Sequence, residues 1–116
     1  MRKEIEKRLV NFAGLIVEIS NSLDGSNAAN CLSNQIVRSG TSVALNYGEA
    51  QGAESRNDFI HKTSLVLKEL RETNVNLQII SLTKLSSKPD LLERALDESD
   101  QLVAMFHKTV MTARGR

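Results

Sequence analysis

Asp58-Phe-Ile-His61 places an acid three residues ahead of a histidine. On a helix that spacing presents a carboxylate and an imidazole to the same metal. A di-metal bundle centre repeats the pair on a second helix and adds a Glu from each remaining helix, but the other histidine, His107, has Ala104 three residues before it. Half of the ligand set is missing, so capping and surface polarity account for Asp58 and His61, and no metal is expected. Cys31 has no flanking His or basic residue to lower its pKa and reads as a small packing residue. As the sole cysteine it excludes an intramolecular disulfide and fits a reducing compartment. The chain has no Gly-x-Ser-x-Gly elbow, and Gly48-Glu-Ala-Gln-Gly52 lacks both the Gly-Lys-Ser/Thr and the preceding strand of a phosphate loop. These absences predict no enzyme: no catalytic residue, no cofactor and no small-molecule substrate.

Charge is more informative by position than by total. Fifteen Lys and Arg stand against fourteen Asp and Glu, a formal charge of +1, which argues against a generic polyanion binder. Aromatic residues make up 3% of the chain and Trp is absent, which removes the usual stacking platform for single-stranded nucleic acid. Arg2, Lys3, Lys7 and Arg8 nevertheless open the chain, and Lys108, Arg114 and Arg116 close it. If first and last elements are antiparallel neighbours these groups share one end, a basic tip diluted by Glu4 and Glu6 that is a candidate contact for nucleic acid or an acidic protein. Asp90, Glu93, Asp97, Glu98 and Asp100 make the start of the last element acidic, as suits a helix dipole. A second polar set, Lys62, Lys68, Glu69, Arg71 and Glu72, faces Asn46 and Glu49. Lys68 and Glu72 are spaced to pair along a helix. The set reads as a solvated face or as a polar network joining the second element to the third or to a neighbouring subunit.

The elements that carry these residues are helices. Ile5, Leu9, Phe12, Ile16, Ile19 and Leu23 fall on one helical stripe, as do Ala29, Leu32, Ile36, Ser39, Val43, Tyr47 and Ala50. Phe59, Thr63, Val66, Leu70, Thr73, Leu77 and Ile80 form a third stripe, and Leu92, Leu96, Ser99, Val103, Phe106, Val110 and Ala113 a fourth. Asp24-Gly25-Ser26 closes the first helix and caps the second, Ser55-Arg-Asn-Asp58 resembles a capping box, and a serine followed by Pro89 announces the fourth. The predicted helices are about 2–23, 27–50, 56–85 and 89–113, roughly 33 to 45 Å long at 1.5 Å per residue. Nothing alternates with period two, so no sheet is expected. Gly40, among the small residues Ser39 and Ala44, would let a neighbouring helix approach closely. Short connections make sequential helices antiparallel, which predicts a single all-α domain, 1–116, an up-down-up-down four-helix bundle. Val10, Val17, Leu45, Leu65 and Ile79 lie off the core stripes, and several such residues on more than one helix predict a homo-oligomer. The charged opening of the chain has no signal-peptide run, and no stretch approaches the length of a membrane span, so a cytoplasmic protein without a membrane partner is expected.

The string Arg38-Ser-Gly-Thr-Ser-Val-Ala-Leu-Asn-Tyr-Gly-Glu-Ala50, continued by Gln51-Gly-Ala-Glu-Ser55, Asp58-Phe-Ile-His-Lys62 and Leu67-Lys-Glu-Leu-Arg-Glu-Thr73, resembles a bacterial four-helix-bundle family. That family is named after proteins encoded in intervening sequences of 23S ribosomal RNA genes. Nearly the whole chain takes part in the resemblance. Family members carry aromatic residues shortly after the Glu-Thr pair, where this chain has Val75 and Asn76. The resemblance implies a cytoplasmic homopentamer without established enzymatic activity, and makes Val10, Val17 and Leu65 candidate interface residues. It also implies kinship with the basic, pentameric accessory proteins of diversity-generating retroelements, which engage a reverse transcriptase and nucleic acid. The leading expectation is a non-enzymatic scaffold or adaptor whose first partner is itself. The alternative is an accessory protein that contacts structured RNA or a reverse transcriptase through a repeated basic tip.

Overall fold

The structure, a computed structural model, describes residues 2–115. It consists of α1 (Arg2–Asn21), α2 (Asn27–Gln51), α3 (Arg56–Thr83) and α4 (Pro89–Ala113). Among the described residues no strand forms, and the one ladder contact is an isolated bridge between Leu23 and Ser86. The bundle measures 44 × 21 × 20 Å. Each helix packs on its chain neighbours and α1 closes against α4; α2 with α3 is the most extensive seam and α1 with α4 the slightest. No described helix is long and apolar enough to cross a membrane.

Helix ends follow the local chemistry. Gly25 takes a left-handed conformation, and the Ser26 hydroxyl accepts from the Ala29 amide. At the start of α3 the Ser55 hydroxyl accepts from the Asp58 amide at 3.0 Å, while the Asp58 carboxylate accepts from the Glu54 amide at 3.3 Å, a capping box displaced by one residue. Two helices end earlier than the stripes predict. The chain leaves α1 after Asn21 because Ser22 bonds the α3–α4 connection: its carbonyl accepts from the Ser87 amide and its hydroxyl meets that of Ser86. α3 stops at Thr83 because Lys84 adopts a left-handed conformation and Leu85 donates back to the Ile80 carbonyl. That cap residue is usually glycine, and its absence hid the stop. The expected serine cap of α4 is corrected too: Lys88 occupies that position without a side-chain bond, and Pro89 supplies a pre-set first turn.

Leu9, Phe12, Ile16 and Ile19 are fully or almost fully buried, together with Ile36, Val43, Val66, Leu70, Leu77 and Ile80. Full burial of one such side chain stabilises by about 1.5–3 kcal/mol. On α4 the buried residues are Leu92, Ala95, Ser99, Leu102, Phe106 and Val110, so Leu96 and Val103, expected at the centre, lie half-buried beside it. A helix that carries apolar residues at adjacent positions offers two nearly equivalent stripes. The small Ala95 is fully buried, while Leu96 beside it is only half-buried. Gly40 is buried with its α-carbon facing Ile16, and a Cβ there would lie 2.9 Å from Ile16 Cγ2. Mid-bundle hydroxyls are satisfied across the seams. Thr73 donates to the Glu69 carbonyl, which leaves its oxygen to accept from Ser39 at 2.7 Å, and Asn74 donates to Ser99 and Asp100. Cys31, expected to pack, is exposed on α2.

Candidate functional site

The end of the bundle that holds the basic tip is organised around two rings. Tyr47 of α2 and Phe106 of α4 meet edge to face with centroids 5.7 Å apart. Burial raises the Tyr47 pKa above the usual tyrosine value; Glu6 raises it further and Arg2 opposes. The start of α1 therefore lies beside the ring pair that α4 shares. Arg56 donates from Nε to the Ala113 carbonyl at 2.9 Å, which brings the start of α3 to the same end.

The tip residues do not act alike. Arg2, Lys3, Lys7, Lys108 and Arg114 are exposed. Arg8 is committed to α4: Nε donates to Glu98 Oε2 at 2.7 Å, and Nη2 donates to Glu98 Oε1 and Gln101 Oε1 at 3.0 Å each. The hydrogen bond to Glu98 holds Arg8 still more firmly in its charged form. Arg116 lies outside the described residues.

The polar set on α2 and α3 forms cross-helix pairs. Lys62 donates to Glu49 at 2.8 Å, and Arg38 donates to Glu72 at 3.2 Å, so Glu72 is engaged from α2 and not along α3 by Lys68. Arg38 was not among the candidate contact residues. A long cation one seam away gives no signal in a single sequence. Its second partner is Glu69, 3.6 Å from Nη1 and too far for a hydrogen bond, and the buried Oε1 of Glu69 has no hydrogen-bond partner. Burial, then the Glu72 charge, raises the Glu69 pKa, against Arg38 and Lys68. Asn46 is half-buried on the same α2 surface, and Lys68 is exposed.

Apolar exposure is concentrated on two helices. On α1 Val10 is 58% exposed and Val17 40%, two turns apart on one face. Beside them α1 and α4 part to leave a groove of about 680 Å³ between Gly14, Leu15 and Glu18 on one side and Arg94 and Asp97 on the other. On α3 Val75, Ile79 and Leu82 follow the four-three spacing and are 53%, 40% and 83% exposed. Of these three only Ile79 was expected off the core stripe. Leu45 of α2 is exposed as expected, whereas Leu65 is half-buried. No Cα atom of α1 comes within 8 Å of one in α3, so the two apolar faces belong to diagonally opposed helices.

Among the described residues no cluster of three or more His, Cys, Asp or Glu could hold a metal ion. The Asp58 carboxylate is engaged by the Glu54 amide. The arrangement exposes charged and apolar surface, and the Arg8–Glu98, Arg38–Glu72 and Lys62–Glu49 pairs join helix to helix.

The family described as 23S rRNA-intervening sequence protein matches residues 2–108. Among solved structures, the crystal structure of a protein of unknown function from the S23 ribosomal protein family of Bacteroides thetaiotaomicron is similar, with 30% identity and a TM-score of 0.81. The likeness covers 91% of this chain and 97% of that one. No curated protein matches.

Proposed function

The chain belongs to the 23S rRNA-intervening sequence protein family, and from that premise we propose that it is a non-enzymatic, cytoplasmic scaffold that acts as a homo-oligomer. Five up-down-up-down antiparallel bundles form the assembly. The observation that carries this reading is the pair of exposed apolar stripes, Val10 and Val17 on α1 against Val75, Ile79 and Leu82 on α3. A ring needs two different surfaces that complement each other head to tail, and stripes on diagonally opposed helices meet that requirement. Each contact is modest, since burying what remains exposed of Val10 or Val17 is worth about 1 kcal/mol or less, but closure of the ring repeats it at every subunit. Light scattering behind a sizing column should return five times the 12.8 kDa chain mass. Val10→Glu with Val17→Glu should lower that mass without loss of helicity. A monomer at every concentration would overturn the reading.

The second reading, contact with RNA or a reverse transcriptase through the tip, is favoured by the exposure of Arg2, Lys3, Lys7 and Lys108. Commitment of Arg8 to Glu98 reduces the charge available to it.

A further inference from the structure

Across the α3–α4 seam two stripes share one groove. Ser64, Leu67, Lys68 and Arg71 recur at the spacing that keeps residues on one helical face, and His107, Val110, Met111 and Arg114 do so on α4. The groove holds about 430 Å³, within the roughly 300–1,000 Å³ of small-molecule sites. Leu67, Val110 and Met111 form an apolar wall, and the basic residues of both helices form the rim. Four cations that lie along the other helix contacts are committed: Arg8 to Glu98, Arg38 to Glu72, Lys62 to Glu49, and Arg56 to the Ala113 carbonyl. By contrast, Lys68, Arg71 and His107 make no hydrogen bond or close ion pair among the described residues. The Ser64 hydroxyl is buried against the groove without a partner, although Thr63 beside it donates to its own helix. A buried hydroxyl left unpaired is unusual enough to need an explanation. Glu72, the acid of the lining, is held by Arg38 from α2.

We infer that this groove binds the phosphate of a nucleotide, with ribose and base against Leu67, Val110 and Met111. An ammonium, a guanidinium, an imidazole and a hydroxyl offer more donors than a carboxylate can accept in one place, whereas a phosphate presents several acceptor oxygens. Each stripe spans about 10 Å of helix, room for one or two nucleotide units. The lining has no aromatic ring on which a base could stack, so the attraction is chiefly ionic and sensitive to salt. The same chemistry serves a free nucleotide and a unit within a single strand. The inference does not depend on the oligomeric state.

The test uses the purified chain, fluorescently labelled oligouridylate, and UMP, at low and moderate salt. With Lys68 and Arg71 each neutralising a phosphate, oligonucleotide affinity should fall about sevenfold between about 50 and 200 mM salt. In the Lys68→Ala, Arg71→Ala double variant affinity should fall at least about tenfold, and that salt dependence should nearly vanish. Ser64→Ala should weaken binding about fivefold while leaving the thermal midpoint unchanged or raised, which separates a ligand contact from damage to the fold. Lys3→Ala with Lys7→Ala, at the tip, should leave binding intact. Binding of UMP as well as oligouridylate assigns the groove to free nucleotides, and binding of oligouridylate alone assigns it to a strand; either supports the inference. Absence of saturable binding to either probe at low salt overturns it, as does loss of binding in the tip variant with retention in the groove variant.

Discussion

Substitution of alanine for three helical glycines should give opposite signs, and Gly40 is the decisive one. In a helix interior Ala is favoured over Gly by about 1 kcal/mol. At Gly14 and Gly48 an added Cβ would meet nothing within 4 Å, so Gly14→Ala and Gly48→Ala should each stabilise by about 0.5–1 kcal/mol. At Gly40 the Cβ would lie 2.9, 3.0 and 3.2 Å from Cγ2, Cγ1 and Cβ of Ile16. Those atoms cannot swing aside, because a β-branched side chain on a helix has one favoured rotamer and Ile16 is fully buried. α1 and α2 must move apart, and overpacking of that kind costs about 1–3 kcal/mol. After the propensity gain, Gly40→Ala should destabilise by about 1 kcal/mol. With a urea slope of about 1–3 kcal/mol per molar, the midpoint should fall by about 0.5 M. Urea titrations followed by far-UV circular dichroism, all at one protein concentration because association stabilises folded chains, resolve that shift. Ile16→Ala alone should cost about 2–5 kcal/mol. In the double variant the two losses should be less than additive, a coupling of at least about 0.5 kcal/mol. A Gly40→Ala protein that gains stability as Gly14→Ala does would refute the close approach of the two helices.

Two further outcomes concern charge. Glu69 has its pKa raised by burial, then by Glu72. The folded chain thus holds this proton more tightly than the unfolded chain, so stability is greatest below the ordinary glutamate pKa and declines as pH rises through the raised value. Glu69→Gln should flatten that decline in thermal midpoints measured across weakly acid pH, and an unchanged profile would discount the burial of its carboxyl. The Arg8–Glu98 pair closes the slightest seam, α1 on α4, with side chains 33% and 26% exposed. Arg8→Ala should cost about 1 kcal/mol, and a double-mutant cycle with Glu98→Ala should give a coupling of about 0.5–1 kcal/mol that shrinks in high salt. Zero coupling at low salt would mean that the pair contributes nothing to closing α1 on α4.

Composition and periodicity were enough for four helices without a sheet. Three of the core stripes were readable because Ile16, Ile36 and Leu70 each sit at the centre of an unbroken four-three pattern, and local chemistry marked the starts of α2 and α3 at Ser26 and Ser55. The fold decided whatever depends on a partner distant in sequence. Ser22 ends α1 because the α3–α4 connection offers it Ser86 and Ser87, 64 and 65 positions on. Arg8 left the candidate contact surface because Glu98, 90 positions away, is within reach of its guanidinium. The choice of Leu102 over Val103 depended on which of two nearly equivalent faces α4 turned toward the core. Periodicity reports what a helix turns toward its own core. The groove between α3 and α4, and the stripe of Val75, Ile79 and Leu82, exist only once other helices have taken their places. Short-range rules act along one helix and are written in adjacent residues; surfaces and ion pairs belong to the spaces between helices, where packing sets the distances.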